Sequence, residues 1–112
     1  MVTDWYNETK KVLRDGEEIQ RSYRLELNNH EGFFSLTDKR IIFVRVDGFL
    51  RKSYYITFDC PYDDISEINK INSHSFDIMC LDGKKFAFKT FRIPAIHIVT
   101  NINYYKNSAF QA

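Results

Sequence analysis

The chain has 112 residues, enough for one domain around a single core and too short for two. Hydrophobic residues make up 44% and aromatics 16%, which excludes a disordered chain. A net charge of +1 leaves no global field to draw in nucleic acid or a membrane, so any electrostatic binding must come from a local patch.

The chain opens on a predicted helix, Thr3 to Arg14. Thr3 or Asp4 would cap it, Asp4 and Glu8 sit early, and Lys10, Lys11 and Arg14 sit late, as the helix dipole favours. Trp5, Val12 and Leu13 form its thin apolar stripe, and Asp15-Gly16 ends it. Glu18 to Asn28 then alternates as a strand. Ile19, Tyr23, Leu25 and Leu27 fall on one face with Arg21 as the exception, and Gln20, Ser22, Arg24 and Glu26 fall on the other. The stretch from Asn28 to Gly32 reads as a turn. Phe33 to Thr37 and Arg40 to Val46 read as a hairpin about Asp38-Lys39, the second strand a β-branched and aromatic run suited to burial.

Asp47-Gly48 is the strongest hairpin signal in the chain. Ser53 to Cys60 alternates again, with Tyr54, Ile56, Phe58 and Cys60 on one face, and Pro61 stops it. Ile65, Ile68 and Ile71 recur every third residue, which predicts a bulged strand or a single helical turn leading into a strand. Phe76, Ile78 and Cys80 mark the next strand, Asp82-Gly83 a turn, and Phe86 and Phe88 the last strand. Pro94 suits the start of a helix, and Ile98, Val99, Ile102 and Tyr105 follow at amphipathic helical spacing, with the tail frayed from Asn107.

All four glycines follow an acid, and three of them read as separators between consecutive strands. Strands joined without intervening helices pair antiparallel. The expectation is mainly β: a bent antiparallel barrel or sandwich of about seven strands, closed or nearly closed, with a C-terminal helix over one open end and an extra N-terminal helix. Residues 1–16 would be the accessory helix, 17–107 the β domain and 108–112 a frayed tail.

Three segments carry a family resemblance. "GFFSLTDKRIIF" (32–43), "PYDDISEI" (61–68) and "DGKKFAF" (82–88), in this order and followed by a helix, resemble the GRAM and bacterial PH-like domains of the pleckstrin-homology superfold. The resemblance covers about Glu17 to Lys106, and the N-terminal helix lies outside it. It implies a PH-like fold and a binding rather than a catalytic role. Lipid-binding pleckstrin domains carry several cations in the first hairpin loop; here that loop is Asn28-Asn29-His30-Glu31, so the resemblance implies the fold more strongly than a phosphoinositide pocket.

No residue pattern reads as catalytic. His30, His74 and His97 follow no nucleophile motif, no Gly-x-Ser-x-Gly elbow exists, and no His or Cys pair has metal-ligand spacing. Asp63 and Asp64 are adjacent, so on an extended chain they point apart. Cys60 and Cys80 lack CxxC spacing and read as free thiols of a reducing compartment. No enzyme activity, cofactor or metal is expected. The first candidate binding site is the Arg45 to Lys52 hairpin, where Phe49 and Leu50 sit at the turn and Arg45, Arg51 and Lys52 flank them. An apolar tip within a basic collar suits an anionic phospholipid surface, set against the reading in which Phe49 begins the next strand and folds inward. A second basic patch is Lys84, Lys85, Lys89 and Arg92, in a stretch without acids.

The sequence thus predicts a non-enzymatic module that docks a protein partner or an anionic membrane surface, from its loops or from an exposed edge strand. The alternative is homo-oligomeric assembly through the Trp5, Val12, Leu13 face. Nucleic acid is not an expected partner, since that would need a more basic domain. No apolar run approaches the ~20 residues of a transmembrane helix, and residues 1–8 show no secretory signal, so the expected location is cytoplasmic or peripheral to a membrane.

Overall fold

The computed structural model describes residues 4–110, with side chains for 5–108. The expected caps, Thr3 and the Asp4 side chain, and residues 111–112 of the expected tail lie outside that range. A helix α1 (Asp4–Lys11) is followed by β1 (Ile19–Leu27), β2 (His30–Thr37), β3 (Arg40–Asp47) and β4 (Ser53–Pro61). A 3₁₀ turn (Tyr62–Asp64) leads into β5 (Ile65–Asn72), β6 (Ser75–Cys80), β7 (Lys85–Thr90) and the helix α2 (Ala95–Phe110). The strands form one antiparallel sheet in the order β4-β3-β2-β1-β7-β6-β5. It does not close into a barrel: β4 and β5 are its two edges, and no ladder joins them among the described residues.

Aromatic rings fill the concave face. Phe88 of β7 is the hub, with ring centroids 5.1 Å from Phe34, 5.2 Å from Phe76, 5.5 Å from Phe58 and 6.0 Å from Phe43. One ring from each of five strands therefore meets at the centre, mostly edge-to-face, the geometry the ring quadrupole favours. α2 seals one end with Ala95, Ile98, Val99 and Ile102 buried and Tyr105 packed beside them. Asn101 Nδ2 donates to Tyr23 Oη at 2.7 Å, and Lys106 Nζ donates to the Ile65 carbonyl at 3.2 Å. The helix runs to Phe110.

Where the strand pattern breaks, an inserted residue restores it. The ladder shifts between Ile19 and Arg21, which places a bulge at Gln20 and takes Ile19 out of phase with Tyr23, Leu25 and Leu27; Arg21 keeps their phase, opposite Leu36, but is exposed near the strand's end. A second shift, between Phe43 and Val44, sets Thr57 as an extra residue in β4. Phe58 and Cys60 are buried, whereas Tyr54 is half-buried and Ile56 exposed, so the single apolar face expected for this strand is split in two. In β5 both sequence alternatives occur together: a 3₁₀ turn precedes the strand, and bulges near Ser66 and Ile71 rephase it. Ile65 and Ile68 face the core and Ile71 is exposed.

Two turns differ from expectation. The β1–β2 turn is the pair Asn28-Asn29, both left-handed with φ of 50° and 70°. This is the two-residue turn whose twist matches its strands. Gly32 is not a turn residue; it lies inside β2, opposite Arg45. A Cβ there would overlap the Val44 carbonyl oxygen and lie 2.6 Å from Phe43 Cζ, so glycine lets the Phe43 ring lie against the backbone. The β3–β4 connection is also longer than the Asp-Gly signal suggested, because the ladder closes at Asp47–Ser53 and leaves 48–52 as loop.

The residues of "LTDKR" are structural. Thr37 Oγ1 accepts from the Lys39 and Arg40 amides at 3.0 and 2.9 Å, and Asp38 Oδ1 accepts from the Glu18 amide at 2.9 Å. The Arg40 guanidinium is buried. Its Nε donates to Glu17 Oε2 at 3.0 Å and its Nη2 to Glu17 Oε1 at 3.1 Å, while Nη1 reaches Asp59 Oδ2 at 3.0 Å and Nη2 also meets the Val12 carbonyl. Thr37 Oγ1 donates to Glu17 Oε2 at 2.7 Å and the Arg14 amide to Glu17 Oε1 at 2.9 Å. Burial pushes the Glu17 carboxyl up; the Arg40, Thr37 and Arg14 donors together outweigh it and hold the group below its ordinary range. Arg40's grip on the Val12 carbonyl also helps explain why α1 stops at Lys11 rather than Arg14, as do the i→i−3 bonds of the Val12 and Leu13 amides.

Candidate functional site

α1 lies across the convex face of the sheet, against β3 and β4. Trp5 stacks on Phe33 with centroids 4.4 Å apart and planes 10° from parallel. Thr9, Ile42 and Val44 are buried on this side, which makes β3 buried on both faces and explains its unbroken apolar run. Of the three residues read as an assembly face, Trp5 packs within its own domain, Leu13 is half-buried and Val12 is exposed.

This placement builds a surface around the β3–β4 loop. Phe49 and Leu50 project from its tip, each 91% exposed. Phe49 therefore does not fold inward. Gly48, with φ of +100°, lets the loop double back so tightly that a Cβ there would overlap the Arg51 carbonyl. Arg45 is half-buried and committed to Asp47, its Nε 2.8 Å from Oδ1. Arg51 and Lys52 are exposed and make no ion pair among the described residues.

Sequence reasoning missed two further cations. Lys10 and Lys11 on α1 share with Lys52 and Tyr54 a shallow groove of about 600 Å³. Lys11 pairs with Glu8 at 2.8 Å, and Lys10 lies 5.2 Å from the Tyr6 ring centroid. Nothing in the local pattern could reveal this, because the neighbours are some forty positions apart and meet only through the docking of α1.

The second basic patch does not converge. Lys84 lies in the turn before β7 and Arg92 beyond the strand's other end, whereas Lys85 and Lys89 share the exposed side of β7. Lys85 is 3.8 Å from Asp77 Oδ2, and Arg92 lines a separate groove with Arg24 and Phe91. The histidines lie apart: His30 begins β2, His74 sits in the β5–β6 turn with Nδ1 3.2 Å from Ser73 Oγ, and His97 lies on α2 beside Tyr23. Asp63 and Asp64 are exposed on the 3₁₀ turn. Among the described residues no three His, Cys, Asp or Glu side chains gather where a metal could be held, and no helix is long and apolar enough to cross a membrane.

No family model matches the chain, and no curated protein matches it in sequence. Solved structures do match it in shape. The Vps36 N-terminal PH domain superposes with a TM-score of 0.65 at 13% identity, over 90% of this chain and 87% of that one. The C-terminal domain of an unknown protein from Leishmania infantum gives 0.63 at 13%, over 91% and 92%. A DUF1696 family protein with a pleckstrin-homology domain from Shewanella loihica gives 0.61 at 18%, over 92% and 91%. At these identities the likeness carries the fold alone, and that fold is pleckstrin-homology-like: a seven-stranded antiparallel sheet, open at one seam and capped by a C-terminal helix.

Proposed function

We propose that this chain is a non-enzymatic binding module that docks on an anionic membrane surface through the β3–β4 loop, with α1 extending the contact. The observation that carries this reading is the pair Phe49 and Leu50, both 91% exposed and followed directly in the loop by the exposed cations Arg51 and Lys52, with Lys52 sharing a groove with Lys10 and Lys11 of α1. A loop that only reverses the chain has no use for two large apolar side chains in water. Burying each would contribute about 1.5–3 kcal/mol, and each cation near anionic headgroups about 1 kcal/mol. Against the loss of translational and rotational freedom on binding, the surplus suits reversible, salt-sensitive association rather than permanent anchoring. The GRAM-like character rests on the three sequence segments, and the scarcity of cations in the β1–β2 turn argues for a surface contact rather than a deep headgroup pocket.

Sedimentation with vesicles tests this. The protein should pellet with phosphatidylserine-containing vesicles at low salt, release at physiological salt, and ignore neutral phosphatidylcholine. Replacing Phe49 and Leu50 by Ser and Arg51 and Lys52 by Gln should abolish pelleting while the thermal transition stays within a few degrees. Unchanged pelleting by that variant would remove the loop from the contact. Failure of the wild type to pellet at low salt would leave the same apolar tip and cations as a docking surface for an acidic protein partner.

A further inference from the structure

Cys60 and Cys80 stand on the two halves of the sheet. Cys60 is near the end of β4, paired with Ile41 of β3; Cys80 ends β6, paired with Ile65 of β5. No ladder joins β4 to β6, yet the two sulfurs lie 3.7 Å apart across the seam where the sheet stays open. Both are free thiols. Cys60 is buried, whereas Cys80 is partly exposed. Both border a cleft of about 470 Å³ that is also lined by Phe58, Phe86, Asp59 and Asp64.

We propose that Cys60 and Cys80 form a reversible dithiol switch that, on oxidation by a disulfide such as oxidised glutathione, covalently closes the seam between β4 and β6. The sulfurs must approach from contact distance to the ~2.05 Å of a disulfide, a movement of less than about 2 Å that two side chains facing one cleft can share. Cys80 is the point of entry, being the sulfur a reagent in the cleft can reach. Its thiol loses a proton to solvent, the sulfur attacks one sulfur of oxidised glutathione, and the first glutathione leaves as thiolate. Cys60 then loses its proton and displaces the second glutathione from the Cys80 mixed disulfide. Two electrons pass from the protein thiols to glutathione, and two molecules of reduced glutathione are released. Burial, and after it the neighbouring Cys80 sulfur, hold the Cys60 thiol far above its ordinary range, and burial also raises Cys80. The reduced pair is therefore sluggish, and closure answers a sustained oxidising shift rather than brief exposure. This inference is independent of the docking role proposed above.

The test is incubation of the intact folded protein with millimolar oxidised glutathione, followed by non-reducing mass spectrometry and peptide mapping. The expected product is a monomer lighter by two hydrogens, with Cys60 linked to Cys80. Its melting temperature should rise on the order of 10 °C, as closing a loop of this length implies, and return on adding dithiothreitol. The C60S variant should stop at one glutathione adduct on Cys80, and C80S should stay unmodified while folded. A wild-type protein carrying two glutathione adducts, forming intermolecular dimers, or remaining reduced where the urea-unfolded chain oxidises would overturn the proposal. So would modification of Cys60 in C80S at the rate of Cys80 in C60S.

Discussion

Arg40→Ala would remove the centre of the buried ion cluster. The Glu17 side chain is fully shielded from water and that of Arg40 is 6% exposed, whereas the Asp59 carboxylate is 39% exposed and can return to solvent. The variant therefore strands one charge, Glu17, with only the Thr37 hydroxyl and the Arg14 amide to meet it. Breaking a buried pair in this way costs about 3–5 kcal/mol, against a total stability of about 5–15 kcal/mol for a domain of this kind. The melting temperature should fall by roughly 12–20 °C. The loss should also depend on pH. In the native protein Glu17 is held below its ordinary value of 4.5, so its contribution is complete above that value and fades as pH falls through the folded one. In the variant, burial persists without the Arg40 donors. The folded carboxyl then binds its proton more tightly than the unfolded one, and stability is regained as pH falls. Urea denaturation at pH 7 and at about pH 4 should show the gap between the two proteins narrowing. A double replacement, Glu17→Gln with Arg40→Met, should recover much of the loss, since it removes the stranded charge rather than exposing it. A loss at pH 7 below about 1 kcal/mol, or a gap independent of pH, would refute the account.

Other substitutions probe the packing of the two faces. Gly32→Ala should destabilise by about 1–3 kcal/mol or more, because the new methyl meets the Val44 backbone, which cannot yield as a side-chain tip would. Gly83→Ala, where nothing lies within 4 Å and only a φ of +88° opposes the change, should cost about 1 kcal/mol; equal losses in urea denaturation would contradict this reading of Gly32. Trp5→Ala should remove the stack on Phe33 and cost about 1–3 kcal/mol, with faster amide exchange confined to α1 and its contacts. Analytical ultracentrifugation of that variant should match the wild type; a lowered oligomeric state would instead restore assembly through the helix.

Much of the fold could be read without coordinates because strand alternation and helical spacing are local properties. The Phe34 and Leu36 face, the run from Ile41 to Val44, and the Ile98, Val99, Ile102 stripe each declare which side must leave water. The apolar pair Phe49 and Leu50 was visible as a candidate tip, but whether Phe49 pointed outward or began the next strand was decided only by the structure, which leaves both side chains exposed. Bulges were less legible. The three-residue spacing of Ile65, Ile68 and Ile71 signalled those of β5, but Gln20 and Thr57 left no such mark, because a polar residue at an outward position looks ordinary.

What pattern cannot encode is which distant surfaces meet. Gly32 looked like a turn glycine because the four residues before it, Asn28 to Glu31, are polar; only the Val44 carbonyl and the Phe43 ring on the next strand show why it lacks a side chain. Nothing in the local pattern pairs Arg40 with Glu17, and their burial depends on α1 and its following loop lying over that corner of the sheet. The same docking brings Lys10 and Lys11 beside Lys52, and the bend of the open sheet sets Cys60 against Cys80. The sequence by itself determined most of the elements and their apolar faces, since these follow from short-range geometry and the need to exclude water. Only the tertiary structure decided the buried ion cluster, the basic groove and the paired thiols, because each depends on how far the sheet bends and where the first helix comes to rest.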